Sequence, residues 1–330
     1  MSSQKILVIG PSWLGDMVMA QKLFKVIKDR YPKSKLHVAS PAWTIPLVSR
    51  MPEVDQPIAL PFSHGELNLI KRYQLGKSLK IEGYTEAIVL SNSFKSALIP
   101  FFANIPNRRG FLGEMRFGLI NDRIKKDKSL YRTVDQFLAL APKNKNVRPS
   151  LSTYLISKPS QARKLLKGKI KSSDKILAIA PGAEYGEAKR WPIEYFAQVS
   201  TAAIEKGWKV ITLGSTHDHV LGKLIDKLTK NKVINLIGKT KLEEVIDVMS
   251  ICNSFLSNDS GLMHVAASLR IKQIAIFGSS DPQKTPPLSR HAKTVYLGLS
   301  CSPCFERTCP LQHTNCLKNI KPEEIIRRVI

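Results

Sequence analysis

Residues 5–18 read KILVIGPSWLGDMV. A short apolar run, residues 6–9, stops at Gly10, and a helix-like pattern begins after Gly15. Strand, glycine-bearing turn and helix in that order open a βα unit. The spacing from Gly10 to Gly15 is nearly that of the phosphate-cradling loop G-x-x-x-x-G-K-[ST]. Yet Asp16 stands where that loop needs Lys, and Met17 where it needs Ser or Thr. A phosphate would be repelled here. Asp16 therefore has two readings. One is an acidic residue that complements the helix dipole; the other is a carboxylate offered to a ligand as general base. Gly15 suits a close approach or an unusual dihedral.

Working outward, the same grammar repeats. KILVIG, LHVAS, EAIVLSNS, ILAIAPG, KVITLGS, VINLIG, SFLSND, QIAIFGSS and TVYLG are apolar runs closed by turn residues. Helix-period segments lie between them, at residues 17–28, 192–206, 218–228, 242–251 and 260–269. Continuous apolar strands alternating with helices mark parallel sheets covered on both faces. The pattern breaks over residues 142–175, where PKNKNVRPS and KGKIKSSDK are basic and turn-rich. The expectation is two Rossmann-like α/β domains joined near residues 155–172, with the boundary placed at 160/161. Two such halves leave a cleft faced by the carboxyl ends of both sheets, where open α/β sheets bind ligands.

The 330 residues suit two domains of ordinary size. The N-terminal apolar run is too short for a signal sequence, and no stretch approaches a membrane span, so a soluble cytosolic protein is expected. Lys and Arg outnumber Asp and Glu by 51 to 26, a net charge of +25 shared by both halves. Such a field favours a polyanionic substrate, an anionic membrane surface or nucleic acid. A basic proteome is the plain alternative.

Candidate site residues should follow the strands. After ILAIA comes PGAEYGEAKRWP, whose Lys189 in a glycine-bearing loop suits a phosphate. After KVITLGS comes Asp218, placed to hold ribose hydroxyls or simply to cap a helix. After VINLIG comes Thr240. After SFLSN come Asp259, Ser260, Gly261 and His264, at a helix start whose free N–H groups would receive a diphosphate. A histidine there is as readily a packing residue. No G-x-G-x-x-G fingerprint follows any strand, which weighs against an NAD or FAD enzyme.

These stretches together, with ILVIGPSWLGDMVMAQ, PAWTIPLVSRMPEVD, GSTHDH, IGKTKLEE and NDSGLMHVAASL, resemble the bacterial ADP-heptose glycosyltransferases of family 9 through nearly the whole chain. GPSWLGDMVM is most similar to the subtype that adds the second heptose. The resemblance implies the GT-B fold and an inverting transfer of L-glycero-D-manno-heptose from ADP-heptose to the first heptose of the lipopolysaccharide inner core, on Kdo-lipid A. It makes Asp16 the base. Lys189, Asp259, Ser260, Gly261 and His264 would meet the diphosphate and sugar, Asp218 the ribose and Thr240 the adenine. It implies no required cofactor, with Mg at most a stimulant and no catalytic metal. It also implies a monomer docked peripherally at the cytoplasmic face of the inner membrane. Arg109 and Arg116, in the basic stretch RRGFLGEMRFGLINDRIKKDK, are the expected acceptor contacts. Whether the last helix crosses back onto the first domain, as is common in GT-B folds, is not decided by its own residues. Within the class, a transferase with another heptose position or donor is the alternative. A basic nucleic-acid-binding protein is the rival from another class, disfavoured by the shortage of stacking aromatics.

CSPCFERTCPLQHTNC places Cys301, Cys304, Cys309 and Cys316 as C-x2-C-x4-C-x6-C with His313 inside. Reduced structural thiols, a structural zinc or iron site, and disulfides are all open, the last least suited to a cytosolic chain.

Overall fold

The structure is a computed structural model and describes residues 4–62, 65–142 and 152–330. It divides into two units, Met1–Ile156 and Ser157–Ile330. The division falls four residues before the expected 160/161. The reason is local: the Lys158 backbone N–H donates to Asp247 Oδ1 at 2.7 Å, and the helix Pro159–Leu165 packs on the helix Leu242–Ser250 of the second unit. Most of PKNKNVRPS lies outside the described residues.

The first unit holds β1 Lys5–Ile9, β2 Lys35–Pro41, β3 Gln56–Leu60, β4 Glu86–Val89, β5 Asn107–Phe111 and β6 Asp122–Ile124. The second holds β7 Ile176–Ala180, β8 Lys209–Thr212, β9 Ile234–Asn235, β10 Ser254–Asn258, β11 Lys272–Ile276 and β12 Ala292–Val295. The spatial orders are β3-β2-β1-β4-β5-β6 and β12-β11-β10-β7-β8-β9, with every pair parallel. Numbered from its own first strand and viewed from the other edge, the second sheet has the same order as the first. Both are the doubly wound order 3-2-1-4-5-6. Each sheet thus has one switch point where the winding reverses, between β1 and β4 and between β7 and β10.

All nine apolar runs form strands. β1, β4, β7 and β10 are central and wholly or almost wholly buried, which is why, apart from Lys5, Glu86 and Asn258 at their ends, they carry apolar or small residues. The helices Leu14–Arg30, Ile193–Glu205, His219–Leu228, Leu242–Ser250 and Gly261–Ser268 fall on the expected segments to within a few residues. Gly10 closes β1 with no room to spare. A Cβ there would sit 2.5 Å from Met17 Cε and 3.3 Å from the Ala39 carbonyl. Gly15 lies in the first helical turn and has ordinary helical geometry.

The last helix, Pro322–Val329, packs in the second unit. Ile325 and Val329 are fully buried with Trp191, Phe196 and Leu317 in the second unit's core. The Trp191 indole N–H donates to the Ile320 carbonyl at 3.0 Å, anchoring the segment that leads into this helix. Its apolar face is therefore already covered within the second unit.

Candidate active site

In the first unit, Asp16 lies in the first turn of the helix that follows β1, with Trp13 at the N-cap and no side-chain cap bond. It is half-buried, and Trp13 is 42% exposed beside it. The adjacent strand of the switch point, β4, ends at the Ser91–Ser93 turn. Arg116 grips that turn from beneath. Its Nη1 donates to the Ser91 carbonyl at 2.7 Å and its Nη2 to the Phe111 carbonyl at the end of β5. Arg116 is 0% exposed, so it is a brace for the two loops and not a surface contact for an acceptor. Burial lowers its guanidinium from the ordinary value.

Arg109 is likewise tied into the sheet. It stands in β5, where its Nε donates to Asp122 Oδ2 on β6 at 2.7 Å and its Nη1 lies 3.6 Å from Glu86 Oε1 on β4. The guanidinium ties three neighbouring strands together. Burial raises the Glu86 carboxyl, and Arg109 opposes that rise. The two arginines expected at the acceptor thus hold the sheet edge and its loops.

In the second unit the two switch-point loops meet through one ion pair. Lys189 Nζ, after β7, lies 2.5 Å from Asp259 Oδ2, after β10. The same oxygen accepts from Ser280 Oγ at 2.6 Å. Asn258, fully buried, fastens the loops further: its Nδ2 donates to the Pro181 carbonyl at 2.7 Å and its Oδ1 accepts from the Trp191 N–H at 2.9 Å. Ser260 is the N-cap of the helix Gly261–Ser268 but makes no cap bond. Its Oγ, the Ser279 Oγ and the His264 Nδ1 are buried polar atoms with no hydrogen-bond partner. Among the described residues other buried polar atoms also go unpaired, and these three are ones that a polar ligand or ordered water at these loops would complete.

His264 is 4% exposed and lies under this surface. Burial pushes its imidazole down to about 4, with Asp259 pulling up and Lys189 pushing down. With no ligand bound it is therefore neutral near pH 7.

Asp218 closes the third side. Its Oδ2 accepts from the Ser215 N–H at 2.9 Å and Ser215 Oγ at 3.0 Å, a capping box on the turn after β8. The cap reading is thus realised. Its other oxygen lies against the loop after β7, where a Cβ on Gly182 would come within 2.2 Å of it. Thr240, after β9, points its hydroxyl back to the Leu236 carbonyl at 3.4 Å. Lys189, Asp218, Thr240, Asp259, Ser260 and Gly261 all follow carboxyl ends of strands in this one sheet.

Sequence reasoning missed Asn258, Ser280 and the bracing role of Arg116. Asn258 had a signal: a polar side chain at the end of an otherwise apolar central strand. Ser280 follows β11, one strand farther along, and its role shows only once β10 and β11 are paired.

Two doubly wound units, a carboxylate at the first helix start of one and a cation with a helix start at the switch point of the other, define a two-unit α/β protein of GT-B type. The model of glycosyltransferase family 9 (heptosyltransferase) matches residues 72–315. Lipopolysaccharide heptosyltransferase 2 of Salmonella typhimurium is 43% identical over 306 residues, covering 89% of this chain and 88% of that one. The solved structure of Escherichia coli ADP-heptose lps heptosyltransferase II superposes with a TM-score of 0.87 at 36% identity, covering 98% and 97%. Lipopolysaccharide heptosyltransferase 1 of Pseudomonas aeruginosa matches at 29% over 130 residues, 38% of this chain and 35% of that one. The chain belongs to glycosyltransferase family 9, the heptosyltransferases.

Proposed function

We propose that this chain transfers a heptose from ADP-heptose to the first heptose of the lipopolysaccharide inner core on Kdo-lipid A, with inversion at the anomeric carbon. The observation that carries the reading is the division of chemistry between two sheets of one strand order. A carboxylate follows the first strand of one, and Lys189, Asp259 and a helix N-terminus share the switch point of the other. The choice of the second heptose position is supported by the relatives. Relatives named for heptosyltransferase 2 align over most of the chain at up to 43% identity, whereas a relative named for heptosyltransferase 1 aligns over little more than a third at 29%.

In this scheme the acceptor hydroxyl attacks the anomeric carbon as its bond to the β-phosphate oxygen breaks. Asp16 takes the hydroxyl proton. Lys189 carries three N–H donors and gives one to Asp259, which leaves two for the departing diphosphate. The N–H groups at the start of the helix Gly261–Ser268 face the same charge. Asp218 offers the ribose the oxygen that Ser215 does not use, and Thr240 lies toward the adenine. Magnesium, where bound, would screen the charge of the diphosphate.

The protein would work as a peripheral monomer at the cytoplasmic face of the inner membrane. The net charge of +25 and the exposed Trp43, Ile70 and Met115 support docking at an anionic lipid surface. Among the described residues no helix is long and apolar enough to cross a membrane.

The test is acceptor choice. Purified protein is given ADP-heptose with Kdo-lipid A carrying either one heptose or none, and the product is weighed by mass spectrometry. Addition of one heptose to the mono-heptosylated acceptor is expected. Transfer only to the bare acceptor would move the chain to the other subtype, and transfer to neither would refute the reading.

A further inference from the structure

Cys301, Cys304, Cys309 and Cys316 take no part in the scheme above, yet the fold brings all four to one place. They line a single cavity of about 20 Å³ with Ala188, Ser279 and His313. Cys301, Cys304 and Cys309 are half-buried, Cys316 is buried, and all four are free thiols. We propose that these four cysteines form a structural site for one thiophilic metal ion, zinc or iron, and that the ion locks the loop which holds Lys189 in place.

Three arguments converge. First, C-x2-C followed by two more cysteines within twelve residues is ligand spacing for tetrahedral thiolate sites. Second, the cavity has room for about one water-sized particle, and all four cysteines reach its wall. Third, His313 is not poised to displace a thiolate. Its Nδ1 already accepts from the Asn315 N–H at 3.0 Å, which leaves the ring proton on Nε2. Among the described residues no three such side chains yet close on a common point. The ion itself would draw the sulfurs in by side-chain rotation, as expected where metal binding and local folding are coupled.

The loop between the second and third ligands carries the consequence. The Arg307 carbonyl accepts from the Ala188 N–H at 3.0 Å, next to Lys189. The Phe305 N–H donates to the Ser279 carbonyl at 2.7 Å, and the Phe305 carbonyl accepts from the Tyr185 hydroxyl at 2.6 Å. Ser280, beside Ser279, is the residue that bonds Asp259. Closing the cysteines on an ion therefore stiffens both turns that flank the Lys189–Asp259 pair. This last step rests on the donor-site reading; the metal site itself does not.

The experiment measures metal, independently of activity. Protein purified without chelators is expected to carry about one equivalent of zinc or iron by elemental mass spectrometry, which also tells the two apart. Cys304→Ser and Cys309→Ser, at half-buried loop positions, should each fall below about a tenth of an equivalent, and Cys252→Ser, outside the cluster, should keep its metal. Metal-stripped wild type given Co(II) should show thiolate-to-cobalt charge-transfer absorption. Wild type that holds no stoichiometric metal and shows no cobalt band would overturn the proposal. So would metal retained by both cluster variants.

Discussion

Lys189→Met tests the second switch point most sharply, because it separates a cost in stability from a cost in chemistry. Lys189 is 17% exposed and its partner Asp259 only 6%. Removing one partner of a buried ion pair costs about 3–5 kcal/mol, because the other charge is left uncompensated. Here Ser280 Oγ still donates to Asp259, and some water reaches the lysine position. The expected loss is accordingly smaller, about 2–3 kcal/mol. For a unit of this size that lowers Tm by about 5–10 °C. Adding Asp259→Leu removes the stranded charge and should recover much of the loss in calorimetry. Activity should not recover with it. Loss of a charged donor aimed at a departing oxyanion costs about 10²–10³-fold in kcat, in the single variant and in the double variant alike. Lys189→Met with Tm within about 1 °C of wild type and normal turnover of the donor would refute the reasoning.

Arg116→Met should cost about 2–4 kcal/mol in urea unfolding with little change in m-value, since it leaves the Ser91 and Phe111 carbonyls without their buried donor. His264 gives a pH signature. Its folded value, about 4, lies below the ordinary 6.5. Between those values the unfolded chain binds a proton that the folded chain does not, so stability falls as pH drops through this window. Relative to His264→Asn, wild type should lose up to about 3 kcal/mol between pH 6.5 and 4 in paired denaturation curves. Gly186→Ala places a Cβ 2.4 Å from the Arg307 carbonyl oxygen. The Lys189 turn must then move, and KM for the donor should rise about tenfold.

What the sequence made legible was the part written in long apolar runs and in turn residues after them. All nine such runs are strands, and the residues chosen after them fall at carboxyl ends of strands. Three strands were not legible. β3, QPIAL, is a short edge strand with an internal Pro; β5, NRRGF, and β6, DRI, are polar. The last two hold together through Arg109, Asp122 and Glu86, an interaction across strands that no local pattern reveals. The same blindness explains why the packing of Arg109 and Arg116 was not foreseen. A run rich in Arg and Lys looks like a solvated patch, and only the fold shows which guanidinium is buried against carbonyls. The last helix was ambiguous for the opposite reason. Its amphipathic face declares that it packs, and the partner is decided by Trp191 and Leu317, far away in sequence or outside the helix.

The most direct test of the account is the steady-state rate of ADP release from ADP-heptose with mono-heptosylated Kdo-lipid A, for wild type and for Asp16→Asn. The substitution keeps the shape of the side chain and removes its basicity. The account predicts turnover by wild type, a loss of about 10²–10⁴-fold in kcat for the variant, and unchanged ADP affinity in calorimetry. Wild-type turnover by Asp16→Asn would contradict it.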